Sequence, residues 1–269
     1  MAISGYAAAA FQSLTPAKIQ FIRNLPKAEL HAHLNGCIPV QVLQDLALER
    51  LSISSGSDST ANGLPDEVKS GIERLQQGVD LNEIHEFFGL FPAIYSLTST
   101  PTALATATRA VLSQFLDLDA HPTDPQPQAA YLELRSTPRE NASMTRMQYL
   151  EAVLSEVERY PADRAALIVS LDRRMNARVA EEVVYCAVKL RKSGRRVVGI
   201  DLCGDPLTDD TLPFRNSLIG EYALLMAAPP LGLGMTEAEV ERVARMGMDS
   251  RFPVSLAEPS QLRNSPSTS

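Results

Sequence analysis

The sequence is poor in the features that mark a secreted or membrane-bound chain. No stretch approaches the about 18 consecutive apolar residues of a membrane span. The first residues, MAISGYAAAAFQSLTPAKIQ, contain an alanine run but neither a basic segment nor a strong apolar core, so we predict no signal peptide. The three cysteines, Cys37, Cys186 and Cys203, are too few and too scattered for a disulfide framework or a cysteine zinc site. We therefore expect reduced thiols in a cytoplasmic protein.

Positive charge is also scarce. The 25 Lys and Arg residues face 32 Asp and Glu residues, which gives a net charge of −7. Without a block of Lys and Arg, a nucleic-acid polymer is disfavoured as a partner. A small anionic ligand stays open, because one or two arginines suffice to bind it. We expect a soluble monomer with a small-molecule partner, and neither a membrane nor a nucleic acid.

Strand and helix patterns alternate along the chain. Alternating or short apolar runs predict strands at 27–34, 130–136, 166–171 and 197–203. Helical patterns cover 16–24, 39–50, 66–98, 102–118, 144–159, 177–193, 217–228 and 235–249. This alternation predicts parallel βαβ units, so the expected fold class is α/β. We expect one domain over 1–252 and a disordered, Ser- and Pro-rich tail over 253–269.

Local signals refine some of these elements. Thr15 and Pro16 are suited to the cap and first turn of a helix, and Thr236 with Glu239 forms a predicted capping box. The dipeptide at 35–36, Asn-Gly, predicts a turn. The phenylalanine stripe at 87, 88 and 91 favours core packing over a purine clamp.

Polar residues close several predicted strands. They are His33, Arg135, Ser136, Asp172, Gly204 and Asp205. In a (β/α)8 barrel the active site lies at the carboxyl ends of the strands, so we expect the chemistry to collect there.

The sharpest local pattern is His31-Ala32-His33. Residues i and i+2 of a strand point to the same face, so two imidazoles can lie side by side at the strand end. Zinc suits such a pair, because it accepts nitrogen and carboxylate ligands and can keep a position open for water. The pattern alone leaves open that the two are merely polar side chains near a turn.

Five segments, in order, carry a resemblance to a known family. They are LPKAELHAHLNG (25–36), YLELRSTPREN (131–141), LDRR (171–174), GIDLCGDP (199–206), and TDD (208–210) followed by Phe214 and Glu221-Tyr222. Over about residues 16–252 the chain resembles the adenosine/AMP deaminases. Asn35, in place of an aspartate, is similar to the adenosine deaminase-like branch of that family. The implied fold is the metal-dependent-hydrolase TIM barrel, (β/α)8, and the implied reaction is zinc-dependent hydrolytic deamination, with N6-methyl-AMP giving IMP and methylamine.

The resemblance implies a metal site with one Zn2+ per chain. Its ligands would be His31, His33 and Asp209, and zinc would activate the water that attacks C6 of the purine. Asp210 would orient that water or the ring and is the implied catalytic residue. Without the resemblance, Asp209-Asp210 could be a solvated turn before a helix.

The resemblance also implies a substrate site for a purine nucleotide. Its residues would be His33, Asn35, Ser136, Thr137, Pro138, Arg139, Asp172, Gly204 and Asp210. Asn35 would contact the ribose or phosphate side, and Gly204 would let the purine edge approach the backbone. Arg139 suits a phosphate, because its planar guanidinium pairs with two oxygens. We interpret Glu133, outside this set, as part of a cross-strand ion pair.

About half of the catalytic motifs that the resemblance implies are absent from the sequence. The family has a His-x-x-Glu segment and a later His-Gly turn, yet no histidine follows His121. Only two residues separate Pro206 from Asp209, too few for the four βα units that the barrel requires there. We therefore expect an incomplete barrel of about four to five βα units, an internal deletion, and impaired activity. The alternatives are an inactive nucleotide-binding or non-functional fragment, or an unrelated metal hydrolase of the same barrel type.

Overall fold

The computed structural model describes residues 5–54, 64–77, 89–118, 125–203 and 218–252, apart from the side chains of 51–54. Its strands are β1 (Ala28–His33), β2 (Tyr131–Ser136), β3 (Ala165–Asp172) and β4 (Val197–Cys203). All four predicted strands are therefore confirmed, to within two residues at each end.

The described helices separate and flank these strands. They are α1 (Gly5–Ser13), α2 (Pro16–Asn24), α3 (Leu34–Cys37), α4 (Val40–Ser54), α5 (Asp66–Gln77), α6 (Phe91–Leu97), α7 (Pro101–Leu116), α8 (Arg146–Val157), α9 (Ala177–Lys192), α10 (Leu218–Met226) and α11 (Glu237–Asp249). None of these described helices is both long and apolar enough to cross a membrane.

The described strands form one parallel sheet in the sequential order β1-β2-β3-β4. Apolar residues of one face, such as Leu132, Leu167 and Val169, pack under the helices. A smaller cluster around Tyr131 and Ile168 lies on the other face. Consecutive parallel strands with helices on one face are the wall of a (β/α)8 barrel. The fold class is therefore α/β and corresponds to part of such a barrel.

Helix caps follow the sequence signals. Thr15 and Thr236 accept backbone N–H groups at the starts of α2 and α11, and Glu239 completes a capping box with Thr236. Both predicted caps are therefore confirmed.

Two local predictions were wrong. The pattern at 66–98 is not one helix: α5 ends at Gln77, and α6 begins at Phe91 after a turn. Pro92 lies in the first turn of α6, where its missing N–H is harmless, whereas within a continuous helix it would remove a hydrogen bond. The dipeptide at 35–36 is part of the short helix α3 rather than a free turn.

The C-terminal part of the described chain returns to its beginning. Helix α10 packs on α1 and α2, and α11 packs on β1. Beyond α11, the backbone N–H of Phe252 donates to Glu133 Oε1 at 2.7 Å, and the Phe252 ring covers Gly199. We call α10, α11 and Phe252 the C-terminal clasp.

The clasp explains why one interpretation of β2 was wrong. Glu133 is 2% exposed, and its described partners are the Tyr131 hydroxyl at 3.0 Å and the Phe252 N–H. It is therefore a buried hydrogen-bond acceptor rather than part of a cross-strand ion pair. Its neighbour Arg135 does form such a pair, with Asp201.

The β4 edge of the sheet leaves apolar side chains exposed. Ile200 and Leu202 are 44% and 63% exposed, and Tyr185 on the adjacent helix α9 is 62% exposed. In a closed barrel the next strand and helix cover this position. The exposed edge agrees with the expectation of an open sheet.

Lys27 is a buried lysine that closes the end of α2. It is 2% exposed, and its ammonium donates to the carbonyl oxygens of Ile22 (2.8 Å), Arg23 (3.3 Å) and Leu25 (2.9 Å). The negative end of the helix dipole favours a cation there. Burial, followed by repulsion from Arg23, nevertheless lowers the pKa of Lys27 to about 8.

We expect this lowered pKa to make stability depend on pH. Between the folded pKa of about 8 and the ordinary value of 10.5, the unfolded chain binds more protons, so the free energy of unfolding rises with pH. The Lys27→Met variant should lose this rise, which is at most about 3 kcal/mol. Urea unfolding at several pH values in that window measures it, with Lys192→Met, an exposed lysine, as the control. Equal pH slopes for the wild type and Lys27→Met would contradict the prediction.

Candidate metal and nucleotide site

Two histidines converge at the carboxyl end of β1. The Nε2 atoms of His31 and His33 lie 3.2 Å apart, and their ring centroids are 5.1 Å apart. The β1–β2 register shifts between Glu29 and Ala32, and the His31 N–H donates to Glu29 Oε1 at 2.9 Å. Such irregularities re-aim side chains at strand ends. Both imidazoles thus present a ring nitrogen to the same point.

This spacing fits a metal ion. Two nitrogens, each about 2.05 Å from a tetrahedral zinc, lie about 3.3 Å from each other. The Nε2 atoms of His31 and His33, 3.2 Å apart, lie close to that distance. Within the described ranges, no third histidine, cysteine or carboxylate completes the group. The described part of the site therefore offers two nitrogen atoms at a spacing that suits two ligands of one metal ion.

Asn35 and Ser136 meet through a tyrosine that follows them in the chain. Ser136 ends β2, and its Oγ lies 2.8 Å from the Tyr149 hydroxyl. Asn35, in α3, donates through Nδ2 to the same hydroxyl in a longer contact of 3.5 Å. Tyr149 is 2% exposed, and burial raises its pKa, so the phenol keeps its proton at neutral pH. The ends of β1 and β2 are thereby joined.

Arg139 lies beside this group on the segment after β2. Its guanidinium carbon stacks 3.3 Å from the ring centroid of Tyr95 on α6. Among the described residues, nothing hydrogen-bonds to its buried Nε atom or to Asn35 Oδ1. Pro138 is buried, and Thr137 Oγ1 lies 3.5 Å from Cys203 Sγ. A donor from Arg139 and an acceptor from Asn35 are left for other groups.

Asp172 ends β3 and is held by Arg174. The guanidinium donates from Nε to Oδ1 at 2.9 Å and from Nη2 to Oδ2 at 2.5 Å. These hydrogen bonds hold the pKa of Asp172 below its usual range, and Arg139 contributes to the lowering. Asp172 is therefore ionised at neutral pH, and two arginines lie within its electrostatic reach.

A second ion pair crosses the sheet face that the histidines share. Arg135 on β2 pairs with Asp201 on β4, and its Nε and Nη2 also donate to the Leu30 carbonyl of β1 at 3.3 and 3.0 Å. The side chains of Arg135 and Asp201 are 17% and 18% exposed. One guanidinium thus connects three strands near their carboxyl ends.

The structure brings most of the predicted site residues to the carboxyl ends of the strands. His31, His33, Asn35, Ser136, Thr137, Pro138, Arg139 and Asp172 all lie at or just beyond the ends of β1, β2 and β3. The predicted residues Gly204, Asp209 and Asp210 lie outside the described residues.

Sequence reasoning missed residues that hold this group together. Tyr149 and Tyr95 lie on helices, and the sequence around them shows only ordinary helical periodicity. Arg174 and Asp201 lie within quoted motifs, and their charge was the only available signal. Their partners could be found only in the fold.

Known proteins are similar to this chain over part of their length. No protein-family model matches the chain. It is 31% identical over 211 residues to the human N6-methyl-AMP deaminase, covering 76% of this chain and 53% of that protein. It is 33% identical over 192 residues to a Drosophila melanogaster adenosine deaminase-like protein, covering 70% and 51%. The chain thus spans about half the length of these curated relatives.

A solved structure agrees. The Arabidopsis ADAL protein complexed with IMP is 31% identical, with a TM-score of 0.51, and the match covers 76% of this chain and 56% of that one. Over about half of their length, these relatives therefore match this chain, and they are adenosine deaminase-like proteins.

Proposed function

We propose that this chain derives from a zinc-dependent deaminase of purine nucleotides, with N6-methyl-AMP as the substrate. Water would replace the methylamino group at C6, so that the products are IMP and methylamine. The observation that carries the proposal is the pair of imidazole nitrogens 3.2 Å apart at the carboxyl end of β1. The polar side chain of Ser136, at the end of β2 and in contact with the Tyr149 hydroxyl, suits a ribose monophosphate. Relatives named for this activity support it.

The metal half of the proposal assigns His31 and His33 as ligands of one Zn2+, with Asp209 as the third. A zinc ion held there would supply a water molecule of lowered pKa for attack on the purine. Asp210 would orient that water. The roles of Asp209 and Asp210 rest on the resemblance.

The nucleotide half assigns the phosphate to the segment after β2. Ser136, Thr137 and Pro138 would line its place, and the guanidinium of Arg139 would pair with its oxygens. Asn35 Oδ1, which has no described partner, suits a ribose hydroxyl. The relative from Arabidopsis complexed with IMP supports a nucleoside monophosphate as ligand.

A second candidate, nucleotide binding without turnover, is favoured by the histidine count. No histidine follows His121, so the family's proton-transfer segment and second histidine turn have no counterpart in this sequence. We expect turnover far below that of a chain with both segments, as from an internal deletion of splicing or gene-model origin. Asp172 would line the site in either case, and Gly204 would face the purine.

One experiment separates the candidates. The purified chain, supplied with Zn2+, is titrated with IMP by calorimetry and then assayed for methylamine release from N6-methyl-AMP. Binding with turnover supports the deaminase, and binding alone supports the second candidate. If IMP does not bind at all, the nucleotide site is wrong.

We expect Arg139→Gln to weaken IMP binding by about 10- to 100-fold, because one charge-assisted contact to phosphate is lost. Inosine, which lacks the phosphate, should bind both proteins alike. The matched control is Arg245→Gln, an arginine on α11 whose side chain is 69% exposed. Equal losses for IMP and inosine would assign Arg139 to the fold rather than to the phosphate.

A further inference from the structure

A single buried hydroxyl lies between the two parts of the nucleotide site. Tyr149 on α8 is 114 residues from Asn35 in sequence and 13 from Ser136, and its hydroxyl contacts both. The phenol can accept from Asn35 Nδ2 while it donates to Ser136 Oγ, because a tyrosine hydroxyl has one proton and two lone pairs. Both contacts can therefore exist together.

The contacts restrict how the polar atoms point. With Nδ2 turned to Tyr149, Asn35 directs Oδ1 elsewhere, and that buried atom has no described partner. The buried Nε of Arg139, three residues after Ser136, likewise has no described hydrogen-bond partner. Buried polar atoms are rarely left unpaired, so an acceptor and a donor point to a ligand that can supply the complements. A sugar hydroxyl and a phosphate oxygen supply both.

Tyr149 itself is not placed to touch such a ligand. It is 2% exposed and belongs to the helix-facing core cluster. Its effect must pass through the two side chains that it bonds. Because the tyrosine is neutral and held by its packing, its hydroxyl can fix the orientation of the Asn35 and Ser136 side chains relative to each other.

We propose that Tyr149 is a positioning residue for the nucleotide, acting through Asn35 and Ser136. This inference rests on the proposed nucleotide site and adds the residue that orients it. The ligand class is a nucleoside monophosphate, whose ribose meets Asn35 and whose phosphate meets the segment from Ser136 to Arg139.

The test is a double-mutant cycle on IMP affinity. Tyr149→Phe keeps the ring and removes the hydroxyl, and we expect the Kd for IMP to rise about tenfold, the effect of one to two neutral hydrogen bonds. In an Asn35→Ala/Ser136→Ala background, Tyr149→Phe should change the Kd less than about twofold, because coupled residues are non-additive. Tyr160→Phe, whose hydroxyl donates to Asp117 instead, is the matched control and should leave the Kd unchanged.

The outcomes separate the two proposals. If the tenfold effect persists in the Asn35→Ala/Ser136→Ala background, Tyr149 acts through the fold in general, and the positioning role is overturned while nucleotide binding stands. If Tyr149→Phe binds IMP like the wild type, the role is overturned in the same way. If the unaltered chain does not bind IMP, the proposed function fails, and the positioning role fails with it.

Discussion

The His33→Gln and His31→Gln variants are expected to lose zinc. Each removes one of two ring nitrogens that lie 3.2 Å apart, the spacing of two ligands on one tetrahedral ion. Loss of an outer-shell partner alone costs a zinc site about 10- to 100-fold in affinity, so loss of a ligand should cost at least about 100-fold. Competition with a coloured chelator measures the affinity, and elemental analysis measures the metal content.

Two further histidines provide the control for this experiment. His85→Gln and His121→Gln remove an imidazole to which the sequence assigns no role, and they should retain the zinc affinity of the wild type. If all four variants bind zinc equally, His31 and His33 are not its ligands. A thermal melt of each variant with and without zinc separates metal loss from unfolding.

Replacing Arg135 with methionine is expected to destabilise the fold by up to about 3 kcal/mol, the lower end of the range for a buried ion pair, because both side chains keep some exposure. Asp201 would keep a carboxylate that is 18% exposed and has lost its cation. The Leu30 carbonyl of β1 would also lose both of its guanidinium donors. Urea unfolding measures the change in the free energy of unfolding.

A double variant shows whether the charge itself is responsible. Arg135→Met/Asp201→Leu removes both charges and should be more stable than Arg135→Met, because apolar pairs can replace buried ion pairs. The matched surface pair is Arg245 with Glu241, where Arg245→Met should cost less than about 1 kcal/mol. A loss of similar size at the two sites would refute the prediction for Arg135.

Much of the fold could be predicted from short-range patterns. The alternation at 27–34 and the apolar runs of β3 and β4 depend on period and composition, which are local properties. The caps at Thr15 and Thr236 depend on residues three positions apart. The helix pattern at 66–98 failed because the apolar spacing outweighed Pro92, although a proline at that place favours a new helix start.

The candidate site was predictable only where a motif carried it. The His31–His33 spacing follows from strand geometry, and the structure brings those two nitrogens together. The partner of Glu133 could not be predicted, because Phe252 is 119 residues away and donates through its backbone. Tyr149 was missed because its side-chain contacts with Asn35 and Ser136 have no signature in the local sequence. A buried tyrosine on an amphipathic helix looks like core until the fold shows what its hydroxyl contacts.

The C-terminal clasp has a consequence for how the chain can vary in length. Helices α10 and α11 and Phe252 contact α1, α2, β1 and Glu133 directly, so the two ends of the described chain meet on the first half of the sheet. The entropy of closing a flexible loop grows only with the logarithm of its length, at about 0.6 kcal/mol for each doubling. We therefore expect the contact between the two ends of the described chain to depend only weakly on how many residues connect β4 to α10. If the proposed function holds, insertions or losses at that point would change the set of catalytic residues more than they change this contact.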